Sequence, residues 1–417
     1  MSGQLQNWAG NIAFAARAVH TPGSVPELQE IVRKTERLRP FGSRHSFNRI
    51  ADTTGDLVST RRLDRIIGID QQARTVTIEG GVTYGQLCPA IEAHGLALRN
   101  LASLPHISVA GAVATATHGS GVANQSLASA VSRLRIVTAS GDLLTLSRGD
   151  PDFDGAVVSL GALGIVAELT LDLVPSFTIR QHMYLDLPLA AAMADFDAIM
   201  SSGYSVSMFT SWRAETVDKL LVKSLGNVPV HSAEAFGAKP ADRKHHLIPG
   251  LDPTPCTEQM GIEGPWHERL AHFRMDFTPS AGDELQSEYF ISRSDAAQAI
   301  AALHDIQHVF SPVLAISEIR TIAADELWMS PLNGRDAVAF HFTWRPDWDA
   351  VRKVLPLIER QLAPYEPTPH WGKLFEMAPG DIAARYLRLP AFRALVSRHD
   401  PGGKFRNMFL DRYVFGE

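Results

Sequence analysis

Cysteine is nearly absent: two in 417 residues, Cys88 and Cys256, far apart and without metal-ligand spacing. A disulfide framework is therefore excluded, and a cytoplasmic setting is expected. No run of about eighteen apolar residues occurs, so no membrane-spanning helix is expected. The opening MSGQLQNWAGN is polar and lacks the apolar segment of a secretory signal. Charge of neither sign dominates. The formal net charge of −6 and the lack of a basic stripe make nucleic acid and anionic membrane poor partners. Fixed-period repeats and low-complexity tracts are absent. His245 and His246 have no carboxylate partner nearby in sequence, so no metal is assigned.

What is present reads as globular: 45% hydrophobic and 20% charged residues, ample for buried cores. At 417 residues the chain is too long for one ordinary core, and two domains are expected. SVPELQEIVRK reads as a helix with Ser24 and Glu27 as a capping box. A short strand RLRPF runs into a turn, GSRHSFN. ARTVTIEGG reads as a strand, TYGQLCPAIEAHG as the helix after it, with Cys88 in the core. RLRIVTASGDLLTLS reads as a hairpin through Ser140-Gly141-Asp142, and IVAELTLDLVP as a strand buried on one side. Residues 1–178 are thus α+β. Beyond Pro175, alternating segments (YSVSMFTSW, ELQSEYFI, LAISEIRTIA, DAVAFHFTWR) are separated by helical patterns such as SDAAQAIAALHDI, predicting an antiparallel sheet with helices on one face over 179–375. Residues 225–265, rich in Pro, Gly and His, read as a long surface loop. The turn-forming DPGGKF lies in a final segment, 376–417, expected to return to the first domain.

Two stretches carry chemistry. His45 stands in the turn GSRHSFN, where turn formers do not need an imidazole; an imidazole held rigidly near one ligand carbon is a nucleophile. NLASLPHISVAGAVATATHGSGVANQSLAS, residues 100–129, is built of small residues that let backbone approach a ligand and cradle phosphate. It matches neither GxGxxG nor GxxxxGK[ST]. In the later sheet, parity puts Ala337, Ala339, His341 and Thr343 on one face of a strand, with His341 and Thr343 about 7 Å apart, and Val338, Phe340, Phe342 and Trp344 on the other. Glu318 shares a face with Arg320, and Gln286 with Glu288. Lys373 lies among aromatic residues in HWGKLF. Any one of these is compatible with an ordinary solvated strand face.

Taken in order, NWAGN, GSRHSFN, ASLPHISVAGAVATATHGSG, SLGALGIV, CTEQ, GPWHERL, LQSEY, SEIRT, HFTW, PHWGK and DPGGKF resemble the FAD-linked oxidoreductases of the vanillyl-alcohol oxidase type, alditol (xylitol) oxidases above all. The resemblance covers nearly the whole chain. It implies an α+β, two-domain FAD-binding fold with an α+β cap built on an antiparallel sheet, and FAD bound through one covalent link at His45. It implies that Phe41, Gly42, Ser43, Arg44, Ser46, Ser103, Ser108, Gly111, Thr115, Ala116, Thr117, His118 and Val166 contact the cofactor. Many relatives have glycine at the position of Arg44, so either the loop differs locally or Arg44 pairs with a flavin phosphate.

The same resemblance groups Ser103, Gln286, Glu318, Arg320, His341, Thr343 and Lys373 into a polar pocket facing the flavin. The expected reaction is oxidation of a terminal polyol hydroxyl to an aldose, with O2 reduced to hydrogen peroxide. His341 is the candidate base, Lys373 and Arg320 stabilise the developing alkoxide, and Glu318 and Ser103 orient the polyol. The partners expected are a polyol and O2, and the chain is expected to be a monomer. A sugar-lactone oxidase or dehydrogenase using another electron acceptor is the alternative within the family. A non-catalytic flavin-binding protein is the alternative of another class.

Overall fold

A computed structural model describes residues 4–226, 228, 233–277 and 284–416. Its first helix, Val25–Lys34, begins at Ser24, whose Oγ accepts the Glu27 N–H at 3.3 Å. The expected capping box is only half formed. The Glu27 carboxylate accepts from the Gly23 N–H instead, one residue early. The complete box belongs to the next helix, Tyr84–Glu92, where Thr83 and Gln86 satisfy each other's backbone. Cys88 is buried there, and Cys256 is buried elsewhere in the chain.

Three strands, Ala18–His20, Asp56–Ser59 and Leu38–Phe41, form a small parallel sheet with Asp56–Ser59 central. Leu38–Phe41 delivers the chain into the His45 turn. A five-stranded antiparallel sheet follows, ordered Ile66–Asp70, Thr75–Glu79, Ile165–Asp172, Val131–Val137, Leu143–Ser147. The last two are the expected hairpin. Ile165–Asp172 buries Leu169 and Leu171 and turns Glu168, Thr170 and Asp172 outward. The DPGGKF turn packs on this layer. Asp400 accepts from the Lys404 and Phe405 N–H groups at 2.7 Å each, and Leu38 N–H donates to Lys404 O at 2.9 Å.

The cap is a nine-stranded antiparallel sheet. Its centre runs Thr216–Leu225, Ser205–Thr210, Leu314–Ile322, Ala337–Trp344, Leu285–Ser292. Helices cover one face, as expected. Phe310 meets Phe342 and Trp344 edge-on, and Tyr289 Oη donates to Glu359 of the helix Trp348–Leu362. Yet Ala337–Trp344 is buried at all eight positions. The polar face is not solvated; it is turned towards the glycine-rich layer and closes a cavity with it.

The expected surface loop at 225–265 is largely irregular in its described part and exposes Leu251, Met260 and Ile262, but some of it is anchored; residues 227 and 229–232 lie outside the described residues. Leu247 and Cys256 are buried, and Lys239–Pro240 and Gly264–Pro265 pair with Thr178–Pro188. Buried side chains satisfy this backbone. Lys219 Nζ donates to Leu247 O at 3.2 Å, and Gln259 brackets the peptide groups of His245. His246 Nδ1 accepts from the Ile248 N–H at 3.0 Å. Composition gives the irregular chain but not its anchors on Thr178–Pro188 and Lys219, which lie far away in sequence. No helix among the described residues is long and apolar enough to cross a membrane.

Candidate active site

One cavity, with about 1860 Å³ of space between atoms including its mouth, lies between the glycine-rich layer and the polar face of the cap. The sequence motifs knit its floor together. In NWAGN, Asn7 Nδ2 donates to Ser46 O and Asn11 Nδ2 to Phe47 O. In GSRHSFN, Asn48 Nδ2 donates to Trp371 O and Lys373 O at 2.8 and 2.7 Å, tying the His45 turn to the lysine loop. His45 is held with its ring 4.3 Å from Trp8, edge-on to Phe47. Burial, then the Lys373 charge, pushes its pKa down to about 4, so the imidazole is neutral at working pH.

Arg44 adopts φ +61°, the left-handed conformation that glycine takes without cost. Its guanidinium donates to Gln6 O at 2.9 Å, its own carbonyl accepts from the Trp8 N–H, and the residue lines the cavity. The loop thus keeps a left-handed residue at this position, held by contacts to the NWAGN segment.

Gly42, Ser108 and Gly111 converge. A Cβ at Gly42 would stand 2.0 Å from Ser108 Oγ, and one at Gly111 2.7 Å from it. Ser108 Oγ is buried without a partner among the described residues, and Ser43 Oγ accepts from the Ser108 N–H at 3.4 Å. Phe41, Ser46, Ser103, Thr115, Thr117, His118 and Val166 also line the cavity. Ala116 does not: it is fully buried at φ +55° in the core, its N–H bonded to Val113 O. The wall also contains Ser159, Leu160, Gly161 and Gly164, to which the sequence reading gives no role. Buried Arg39 holds that turn through Leu160 O and Gly161 O and ties it to Phe405 O.

The cap face is set by strand register. Glu288 is opposite His341, and His341 is opposite Glu318, so three titratable groups form one row across three strands, with Phe209 as the fourth member. Gln286 and Thr343 lie opposite each other one step along; Arg320 and Ala339 lie one step the other way. All of Gln286, Glu318, Arg320, His341, Thr343 and Lys373 line the cavity.

Glu288 is the hub. Arg320 Nη2 donates to Oε1 and Lys373 Nζ to Oε2, each at 2.7 Å, and His118 Nε2 stands 3.3 Å from Oε1. Burial raises its pKa, but Lys373, His118 and Arg320 outweigh burial and hold it well below the usual carboxylate range. Glu318 behaves alike: Arg320 and His272 overcome its burial. His341 is pushed well below its ordinary value by burial and by Lys373, and its Nε2 is buried without a partner among the described residues. Glu288 shares Gln286's face in the sequence reading, but without a role. One signal for it exists: Arg320 and Lys373 bring two cations to one pocket, and buried cations require counter-charge beyond Glu318. Tertiary neighbours of the row, such as His272, leave no such trace.

Residues 16–147 match the model of an FAD binding domain, and residues 283–413 that of D-arabinono-1,4-lactone oxidase. An alditol oxidase from a Streptomyces species is 47% identical over 414 residues, covering 98% of this chain and 99% of that one. The chain belongs to the FAD-linked oxidoreductases of the vanillyl-alcohol oxidase type. More distant is an L-gulono-1,4-lactone dehydrogenase from Mycobacterium tuberculosis, 29% identical over 434 residues, covering 99% of this chain and all of that one. Cholesterol oxidase from Brevibacterium sterolicum shares the fold: TM-score 0.79 at 16% identity, over 98% of this chain and 96% of that one. Members of this family use FAD, and this chain is an FAD-dependent oxidoreductase. The cavity fits that cofactor: the crowded glycines leave room for close backbone approach, and Ser108 Oγ lacks a partner on the same wall.

Proposed function

We propose that this chain oxidises the terminal primary hydroxyl of an alditol, such as xylitol or sorbitol, to the aldose while O2 becomes hydrogen peroxide. The observation that carries this reading is the row Glu318, His341, Glu288 with Arg320 and Lys373 beside it, where acceptors and donor-only groups alternate over several ångströms. A polyol donates and accepts at every carbon and so matches such an array. Residues 1–178 with 376–417 form the FAD-binding part and 179–375 the cap. The protein acts as a cytoplasmic monomer.

When bound, FAD supplies the two-electron acceptor and passes the pair to O2. The residues expected to hold it are those of the cavity floor, with His45 as the single covalent attachment. In support, His45 is neutral and fixed against Trp8, which leaves a ring nitrogen nucleophilic. Acid-precipitated holoenzyme should stay yellow and His45→Ala should release its flavin. Colour lost entirely to the supernatant from wild type would show that no link exists.

His341 is the base. Its neighbours across both strands are carboxylates, which stabilise the imidazolium formed as the hydroxyl proton arrives. Lys373 and Arg320 face the developing alkoxide, and Glu318, Gln286, Thr343 and Ser103 hold the remaining hydroxyls. Each further hydroxyl that meets a partner adds about 0.5–1.5 kcal/mol, so kcat/KM should rise roughly two- to tenfold per step from glycerol through erythritol to xylitol. Benzyl alcohol should fail on so polar a face. Initial rates of peroxide formation test this. A flat series, or one led by benzyl alcohol, sinks the polyol reading. The decisive spectrum is that of holoenzyme bleached by xylitol without oxygen and recovering in air. The match to the D-arabinono-1,4-lactone oxidase model favours a second reading, a sugar lactone as substrate; L-gulono-1,4-lactone turned over faster than xylitol would establish it.

A further inference from the structure

Lys223 lies in the middle of the cap sheet, on the strand Thr216–Leu225, with 1% of its surface exposed. A buried ammonium ordinarily sits on a carboxylate. This one makes no ion pair among the described residues. Its Nζ donates to Leu270 O and reaches His272 Nδ1 at 3.2 Å. The other ring nitrogen, Nε2, is 2.8 Å from Glu318 Oε1. Lys223 does not line the cavity; Glu318 does. Lys223 therefore reaches the cavity through His272, which lines it beside Glu318.

The chemistry of the three groups leaves one arrangement. Glu318, an ionised carboxylate, only accepts, so His272 Nε2 donates to it and Nδ1 accepts from the amine. The ring proton is then on Nε2 and points at Glu318. Burial lowers the Lys223 pKa to about 7, and the amine carries enough N–H groups for both contacts on either side of that value. His272 itself is clamped. Its N–H donates to Ser103 O at 3.1 Å, its carbonyl accepts from Thr257 N–H, and its ring meets Phe209 edge-on. Burial and Lys223 keep it neutral, with a pKa near 4. Glu318 Oε1 is thus occupied by His272, with Arg320 Nε at 3.7 Å, while Oε2 takes no protein hydrogen bond among the described residues.

We propose that Lys223 and His272 are positioning residues for Glu318: the amine anchors the imidazole through Nδ1, and the imidazole holds one carboxylate oxygen so that the other is presented to a substrate hydroxyl. The inference rests on the polyol reading of the cavity. With Lys223→Met the ring loses the donor that anchors Nδ1, so its hold on Glu318 loosens and the carboxylate shifts. Glu318 grips a hydroxyl that does not react, so it binds ground state and transition state alike. Its displacement should raise KM rather than lower kcat.

Holoenzymes of wild type, Lys223→Met, Glu318→Gln and the double variant are assayed with xylitol. Lys223→Met should raise KM about five- to tenfold with kcat within about twofold. On the Glu318→Gln background it should change KM less than about twofold, because the oriented charge is already gone. A lowered kcat at unchanged KM, or an equal rise in both backgrounds, overturns the proposal. Should Lys223→Met fail to fold, His272→Gln and His272→Leu carry the test. The amide of His272→Gln accepts from Lys223 and donates to Glu318, so it should keep KM near wild type, whereas His272→Leu should raise it; equal KM values overturn the proposal. Wild type inert towards xylitol overturns the polyol reading instead. The array is then judged by melting: Lys223→Met and His272→Leu together should cost no more than the larger alone, and additive losses overturn it.

Discussion

Lys373→Met is expected to lower kcat and kcat/KM together, by roughly a hundredfold, which corresponds to about 3 kcal/mol of lost transition-state stabilisation. Lys373 is on a loop that cannot drift. Its N–H donates to His370 O at 3.0 Å, its carbonyl is gripped by Asn48, and Trp371 beside it is fully buried with its indole N–H on Met329 O. The ammonium is fixed at 2.7 Å from Glu288 and its side chain is 14% exposed, within the cavity wall. Burial lowers its pKa while Glu288 opposes the fall. A cation oriented before the reaction begins gains more from an alkoxide than from a neutral hydroxyl, so the loss falls on the chemical step. Methionine keeps length and apolar bulk without charge. Steady-state kinetics with xylitol decide the matter: normal kcat with only a raised KM would assign Lys373 to ground-state binding.

Glu288→Gln should be the most destabilising substitution in the cap, costing about 3–5 kcal/mol in chemical denaturation, because it strands two buried cations rather than one contact. Arg320 keeps Glu318 as a more distant partner at 3.7 Å, but Lys373 loses the carboxylate that holds its pKa up. The sign for activity follows. With that support gone, the folded-state pKa of Lys373 falls further, the ammonium deprotonates at lower pH, and the alkaline limb of the kcat profile moves towards neutrality. The sign for stability is opposite in pH. Glu288 has a depressed folded pKa, so its contribution is present above the unfolded carboxyl value near 4.5 and is lost as pH falls through the folded one. The stability gap between wild type and Glu288→Gln should therefore be wide at pH 7 and close in acid. Unchanged denaturation midpoints would remove the structural role of the hub, and an alkaline limb that stays in place its support of the Lys373 charge.

Much of the architecture was legible along the chain because it depends on local patterns. The hairpin at Ser140–Asp142 and the one-sided strand Ile165–Asp172 follow from turn residues and a period of two. Parity along DAVAFHFTW separated His341 and Thr343 from Phe342 and Trp344, and helices do cover the aromatic side. The ordered motifs placed the cavity floor, Ala116 excepted; its positive φ turns it into the core between two residues that face the cavity.

Only the tertiary structure decided what depends on which strands are neighbours. Periodicity assigns Glu288, His341 and Glu318 each to a face of its own strand; sheet order and register make them one row. Packing of that row against the glycine-rich layer buries residues that, taken singly, would suit a solvated strand, and their charges become a compensated array. Lys223 and His272 lie 49 residues apart and meet across the sheet, with nothing local to announce the contact. A sequence carries the alternation of side chains along one strand, because that is set by the backbone repeat. The partners of a buried charge are set by long-range packing, and appear only once the sheet is assembled.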